Sequence, residues 1–181
     1  MKTALLAHIC CAPDAAYAVG RLQEEYEVTG FFCNPNIWPT EEYGRRLEET
    51  RKVEGLLGFP LVVDGYVPEA WFEATAPLKA EPERGRRCDV CYALRLDRTA
   101  RRARELGLPA FATVMSVSPR KKADVLNRIG ARLARKYGLT FVVADFKKQG
   151  GFQKSVELSR RFGLYRQNYC GCLYSRRDDR S

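Results

Sequence analysis

Six of the seven cysteines in this chain fall into three close pairs. The spacings are adjacent, C-x-x-C and C-x-C, and the residues are Cys10 and Cys11, Cys88 and Cys91, and Cys170 and Cys172. Adjacent and C-x-C cysteines bridge to each other only with strain, so these pairs do not predict disulfides. Thiolates select soft metals, and three pairs in one chain therefore predict ligation of zinc, copper(I) or the iron of an iron–sulfur cluster.

The number of thiols favours iron over zinc. A structural zinc site takes four ligands, so six paired cysteines exceed one zinc site by two. They suit a four-cysteine iron–sulfur cluster with two ligands left for something else. Zinc binding and thiol redox chemistry are the alternatives that the spacings leave open. The seventh cysteine, Cys33, ends the apolar run EVTGFFC and is predicted to be a buried core residue.

The chain has a single histidine, His8, which excludes metal sites built on two histidines. His8 stands two residues before Cys10 at the end of an apolar run. It is predicted to be a hydrogen-bonded residue at a strand end, and donation to a cluster sulfur is the alternative. No GxxxxGK(S/T) or GxGxxG motif is present, so neither a P-loop nor a dinucleotide-binding fingerprint is predicted.

Basic side chains concentrate in the second half of the sequence. Residues 1–83 hold 7 basic and 14 acidic side chains, whereas residues 84–181 hold 24 basic and 8 acidic ones. This surplus favours a polyanionic partner, above all nucleic acid, and its arginines suit bidentate phosphate contacts. A solvated basic surface that maintains solubility is the alternative.

Apolar, β-rich runs alternate with helical patterns, which predicts an α/β fold: a parallel sheet with helices on both faces. The predicted strands are residues 3–9, 28–33, 60–64, 110–117 and 140–145. The predicted helices are residues 14–25, 40–57, 89–106, 118–137 with Ser118 as the N-cap, and 152–161. No linker, repeat or low-complexity tract is visible, so residues 1–181 are expected to form one domain with a C-terminal Cys-x-Cys segment.

These elements place the cysteines at one edge of the sheet. Cys10, Cys11 and Asp14 follow the first strand directly, at the carboxyl edge where open α/β sheets bind ligands. Cys88 and Cys91 open an arginine-rich helix, whose positive dipole end favours thiolates. A metal site is therefore predicted after strand one. No apolar stretch reaches the ~20 residues of a membrane span and no signal peptide is visible, so a cytoplasmic protein is expected.

Five segments carry a more specific pattern: HICCAPD, RCDVCYALRL, SVSPRKK, ADFKKQGG and LYRQNYCGCLYS. In this order they resemble the QueH-type epoxyqueuosine reductases, from Leu6 to Ser175. The resemblance implies a Rossmann-like sheet of the HUP class, which ATP pyrophosphatases share. It also implies reduction of the epoxide of epoxyqueuosine in tRNA to the alkene of queuosine. The loop after strand one has two thiols and Pro13 where ATP pyrophosphatases have a phosphate-binding nest, so no ATP hydrolysis is expected.

The resemblance further implies a 4Fe–4S cluster and an additional iron beside it, held by cysteines and one aspartate. Carried onto this sequence, the ligands are Cys10, Cys11, Cys88, Cys91, Cys170, Cys172 and Asp14. The Cys88/Cys91 and Cys170/Cys172 pairs are expected to hold most of the cluster, and Cys10 or Cys11 with Asp14 the second iron. Asp14, which is also a candidate helix N-cap, is a candidate proton source beside Tyr165 and Tyr169.

The expected partners follow from this reaction. The anticodon stem–loop of tRNA would lie on the basic half, with the modified base splayed into the metal site. The candidate phosphate contacts are Arg84, Arg86, Arg87, Arg98, Arg101, Arg102, Lys121, Lys122, Lys147 and Lys148. An external ferredoxin or flavodoxin is the expected electron donor. The alternatives are an ATP-dependent tRNA-thiolating iron–sulfur enzyme of the same fold and a non-catalytic, zinc-stabilised RNA-binding module.

Overall fold

The computed structural model describes residues 1–176 and contains a five-stranded parallel sheet in the order β3-β2-β1-β4-β5. The strands are β1 (Thr3–Ile9), β2 (Tyr26–Phe32), β3 (Leu61–Val63), β4 (Ala110–Thr113) and β5 (Thr140–Phe141). The central strand β1 pairs with β2 along its whole length and with β4 near its carboxyl end, where His8 lies opposite Thr113. The prediction of a parallel α/β sheet is confirmed.

Within residues 1–176, six α-helices surround the sheet. They are α1 (Ala12–Gln23), α2 (Thr40–Leu57), α3 (Pro68–Thr75), α4 (Arg86–Glu105), α5 (Ala123–Tyr137) and α6 (Gly151–Arg161). Successive residues of β1 point to opposite faces, so Leu5 packs with Val19 of α1, and Leu6 packs with Leu96 of α4 and Leu126 of α5. Helices on both faces are therefore confirmed.

The segment after β4 departs from the predicted one. The strand ends at Thr113, whose Oγ1 accepts the N–H of Met115 at 3.2 Å, and the chain turns into a 3-10 helix at Met115–Val117. The predicted N-cap at Ser118 is wrong. Ser118 instead opens a turn in which its carbonyl oxygen accepts the N–H of Lys121 at 3.1 Å. A proline in second position suits such a turn as well as it suits a helix start, and α5 begins at Ala123.

Most other element ends also shift from the predicted positions, and the largest further differences are at β5 and α3. Strand β5 has two residues, and farther along the predicted strand the Asn127 side chain bonds both the N–H and the carbonyl oxygen of Ala144. Helix α3 was not predicted, since its eight residues are too few to establish a helical period. Among residues 1–176, no helix combines the length and the apolar character that a membrane crossing requires.

Candidate metal centre

The turn from β1 into α1 brings two thiols and a carboxylate together. Cys11 is the N-cap of α1 and Asp14 lies in its first turn, so the interpretation of Asp14 as the N-cap is wrong. The Sγ atoms of Cys10 and Cys11 are 3.8 Å apart, and the Cys10 thiol donates to Asp14 Oδ2 at 3.4 Å. All three ligand atoms lie within 4.8 Å of one another.

The electrostatics of this group favour a bound cation. The hydrogen bond from Cys10 lowers the pKa of Cys11 to about 6, whereas the same bond and burial raise the pKa of Cys10. Burial, followed by the charge of Cys11, raises the pKa of Asp14. Burial thus opposes a negative charge on Cys10 and Asp14, and a bound thiophilic metal ion would favour the anionic form of all three groups.

The C-x-x-C pair lies in the first turns of α4. Cys88 accepts the backbone N–H of Arg84 at 3.3 Å, and Cys91 is buried in one cluster with Trp71 and Cys172. Helix α4 begins at Arg86, three residues before the predicted start, so both thiols lie within the helix near its positive end.

The C-x-C pair contacts two cations, the buried Arg46 and the half-buried Lys121. Arg46 of α2 donates to the carbonyl oxygens of Cys170 at 2.8 Å and Tyr169 at 3.2 Å. Between the two cysteines, Gly171 has φ +122°, and a Cβ there would lie 2.8 Å from Arg46 Nη1. The Nζ of Lys121 lies 2.6 Å from Cys170 Sγ. Burial alone would raise the pKa of Cys170, but Lys121, with Arg95 and Arg46, lowers it below its ordinary value.

A cavity of about 380 Å³ joins these parts. Cys10, Cys11, Asp14 and Cys170 line it, while Cys91 and Cys172 pack beside Trp71. The structure thus brings thiols of all three pairs to the carboxyl edge of the sheet. Within residues 1–176, Cys10, Cys11 and Asp14 form the one set of three ligand atoms that all lie within 4.8 Å of one another. The thiols of Cys88, Cys91, Cys170 and Cys172 do not form a second set of this kind.

The donor set fits an anionic thiolate-ligated metal group. Arg95 is 2% exposed, its Nη2 donates to Asn34 Oδ1 at 2.7 Å, and its Nη1 lies 3.8 Å from Cys91 Sγ. Within the described residues, its hydrogen-bond partners include no carboxylate. A buried cation without a carboxylate is costly, and thiolates bound to a metal would balance the charges of Arg95 and Lys121.

His8 and Cys33 take structural positions. The His8 ring bonds Thr113 Oγ1 at 3.1 Å and the carbonyl oxygen of Cys33 at 3.0 Å, as expected for a hydrogen-bonded histidine at a strand end. Cys33 is buried, as predicted, and its thiol donates to Asp64 at 3.4 Å. The hydroxyls of Tyr165 and Tyr169 donate to Glu42 and to the carbonyl oxygen of Trp38, so both side chains anchor the C-terminal segment.

Several of the basic residues predicted to contact tRNA are engaged within the protein. Arg98 forms two 2.8 Å bonds to Asp64, Arg101 pairs with Asp97, and Arg87 is buried against backbone carbonyls. Five basic side chains line the cavity: Arg46, Arg95, Arg120, Lys121 and Arg166. Phe152 and Tyr169 add aromatic surface to the same wall.

Sequence reasoning missed Arg46 and Arg95 as parts of the site. Arg95 had a usable signal, because it stands four residues after Cys91 and therefore lies on the same face of α4. Arg46 had no such signal, because it stands in the charged stretch TEEYGRRLEE, a pattern that is typical of a solvated helix face.

Comparisons with known proteins identify the family of this chain. The family model described as "Epoxyqueuosine reductase QueH" matches residues 5–178. A relative of that name from Streptococcus pyogenes is 37% identical over 97% of this chain and 71% of its own length. Another from Thermotoga maritima is 37% identical over 94% of this chain and 89% of its own length.

A solved structure has a similar fold. It is a predicted tRNA methyltransferase subunit from Methanocaldococcus jannaschii, with a TM-score of 0.56 at 14% identity, covering 84% of this chain and 76% of that one. At this identity the likeness concerns the fold alone. The family model spans nearly the whole chain and the relatives carry the same name, and the chain therefore belongs to the epoxyqueuosine reductase QueH family.

Proposed function

We propose that this protein reduces the epoxide of epoxyqueuosine in tRNA to the alkene of queuosine. Membership of the QueH family supports the reaction. The observation that carries the proposal is the cavity at the carboxyl edge of the sheet, where Cys10, Cys11, Asp14 and Cys170 face a basic wall. One site thus offers metal ligands and positive charge to a polyanionic substrate.

The paired cysteines are the proposed ligands. Cys88, Cys91, Cys170 and Cys172 would hold a 4Fe–4S cluster, and Cys10, Cys11 and Asp14 an additional iron. The spacing of the Cys10, Cys11 and Asp14 ligand atoms supports the second assignment. When bound, these groups supply single electrons and Lewis acidity toward the substrate oxygen.

The reaction consumes two electrons and two protons. Both C–O bonds of the epoxide break, a C=C bond forms, and the oxygen leaves as water. The electrons must come from outside, and we propose a one-electron carrier protein such as a ferredoxin or flavodoxin. We further propose that residues 1–181 act as one domain and that the protein works in the cytoplasm, where such carriers and tRNA occur.

The cavity walls have the chemistry to hold one unstacked nucleotide. Arg120 and Arg166 offer planar cations to phosphates, and Phe152 and Tyr169 offer rings on which a base can stack. About 380 Å³ lies in the range of small-ligand pockets and is too small for a duplex. An anticodon loop suits such a cavity, because a single base can be splayed out of it while its phosphates contact the arginines. Arg46 and Lys121 keep the inner wall positive.

The test is a single-turnover assay under anaerobic conditions, with chemically reduced protein and tRNA that carries epoxyqueuosine. We expect queuosine in the wild type and in Cys33→Ala, because Cys33 is a buried thiol outside the proposed ligand set. Cys10→Ala and Asp14→Ala should lose at least about 10-fold in rate, because removal of a residue that only supports a metal ligand already costs about 10–100-fold. Full activity in both variants would overturn the assignment of these residues.

A further inference from the structure

Two buried hydrogen-bond donors beside Cys91 have no partner. The indole Nε1 of Trp71 and the guanidinium Nε of Arg95 are buried and lack an acceptor among the described residues. Trp71 is 1% exposed and Arg95 is 2% exposed, so bulk water does not reach either side chain. Buried donors are almost always paired, because an unpaired one forfeits its bonds to water.

Both donors adjoin the thiols of the proposed cluster. Trp71 forms one buried cluster with Cys91 and Cys172. Arg95 Nη1 lies 3.8 Å from Cys91 Sγ, and Arg95 also lines the cavity that contains Cys10 and Cys170. The two side chains therefore border the same group of sulfurs from α3 and from α4.

Arg95 is fixed in this position from behind. Its Nη2 donates to Asn34 Oδ1 at 2.7 Å, and Asn34 Nδ2 donates to the carbonyl oxygen of Ile9 at 2.9 Å. This chain of hydrogen bonds ties the guanidinium to the carboxyl end of β1, where the Cys10–Cys11 turn begins. The guanidinium thus stands among the thiols as a preorganised cation, and its position does not depend on a carboxylate.

We propose that Arg95 and Trp71 donate hydrogen bonds to the sulfur atoms of the iron–sulfur group and thereby raise its reduction potential. The inference rests on the proposed function only in requiring that the group be present. Hydrogen bonds to cluster sulfurs and nearby positive charge stabilise the reduced form, which carries one more negative charge. Removing either donor makes the group harder to reduce by an external carrier.

The test compares the midpoint potentials of anaerobically loaded proteins, followed by electron paramagnetic resonance during a redox titration. Trp71→Phe keeps an aromatic ring and removes the N–H, and Arg95→Met removes the cation while keeping an apolar stem. Phe72→Leu alters the packing around Trp71 without removing an N–H. Arg101→Met removes an exposed charge from the same helix as Arg95.

We expect the potential to move to more negative values in Trp71→Phe and Arg95→Met and to stay at the wild-type value in both controls. Iron and sulfide contents, measured on the same samples, separate a shifted cluster from a lost one. If Arg95→Met fails to take up the cluster, Trp71→Phe alone decides. An unchanged potential in either loaded variant overturns the role of that residue. A wild type that binds no iron–sulfur group overturns this inference together with the proposed function, whereas unchanged potentials in a loaded wild type and variants overturn this inference alone.

Discussion

The guanidinium of Arg46 donates to the carbonyl oxygen of Cys170 at 2.8 Å, across 124 positions of sequence. The same side chain is fixed by Glu42, which lies 2.6 Å from its Nε. Helix α2 therefore holds the C-x-C segment against the sheet edge through hydrogen bonds from Arg46, whose position the ion pair with Glu42 fixes from within the helix.

Substitution of Arg46 should loosen this segment. Arg46→Met leaves the half-buried Glu42 with the Tyr165 hydroxyl but without its cation, and the loss of this ion pair should cost about 1–3 kcal/mol in the free energy of unfolding. Iron content after anaerobic loading should fall with it. The exposed Arg51→Met, on the same helix, is the control and should change stability by less than about 0.5 kcal/mol. Equal iron content in Arg46→Met and the wild type would contradict the inference that Arg46 holds the C-x-C segment in place.

Position 171 requires glycine for two reasons, its left-handed backbone conformation and the lack of room for a Cβ. Gly171→Ala forces a Cβ to within 2.8 Å of Arg46 Nη1 at φ +122°, and should cost about 1–3 kcal/mol with a loss of bound iron. Gly20→Ala is the matched control, because Gly20 lies inside α1 and a Cβ added there would meet no packed atom within 4 Å. It should stabilise the protein by about 0.5–1 kcal/mol. Urea unfolding and iron analysis measure both effects, and a neutral Gly171→Ala would contradict the account.

The fold and the site differ in how much of them the sequence could predict. The alternation of β1, α1 and β2 appears directly in the apolar pattern, because each element buries a regular face. The turn at Ser118 could not be separated from a helix start, since Ser-Pro suits both. Arg46 is buried only because the distant C-terminal segment packs over it, and no local pattern predicts that contact, whereas the i,i+4 spacing from Cys91 could have indicated Arg95. The Cys10–Cys11–Asp14 group was predictable because its residues are neighbours in sequence.

Asp64 and Arg98 should make stability depend on pH. Burial alone would raise the pKa of Asp64, but two hydrogen bonds from Arg98 and its charge hold that pKa below the ordinary value. The Asp64 carboxyl therefore binds a proton more readily in the unfolded chain than in the folded protein. The ion pair with Arg98 accordingly stabilises the protein at pH values above the ordinary carboxyl pKa. This contribution is lost as pH falls from there through the lower folded-state pKa.

The measurement is the difference in unfolding free energy between the wild type and Asp64→Asn. It should be about 1–2 kcal/mol at pH 7 and shrink steadily below pH ~4. Glu24→Gln, which removes a carboxylate from an exposed pair with Arg21, should show almost no difference. A difference that is constant with pH would exclude the ionised pair as its source.

Binding of tRNA should depend steeply on salt through the cavity arginines. Arg120→Gln and Arg166→Gln each remove one proposed phosphate contact, so affinity should fall and the slope of log K against log salt should drop by about 1. Arg21→Gln, near the C-terminal end of α1, should leave both unchanged. Filter binding over a salt series gives the slopes, and a flat dependence in the wild type would refute the nucleic-acid interface.

The most direct test of the central claim is the iron, acid-labile sulfide and zinc content per chain of anaerobically purified protein. The account predicts about four irons with matching sulfide and a further iron without sulfide, bound by the seven proposed ligands. One zinc per chain with no sulfide would contradict it and identify a zinc-stabilised domain instead.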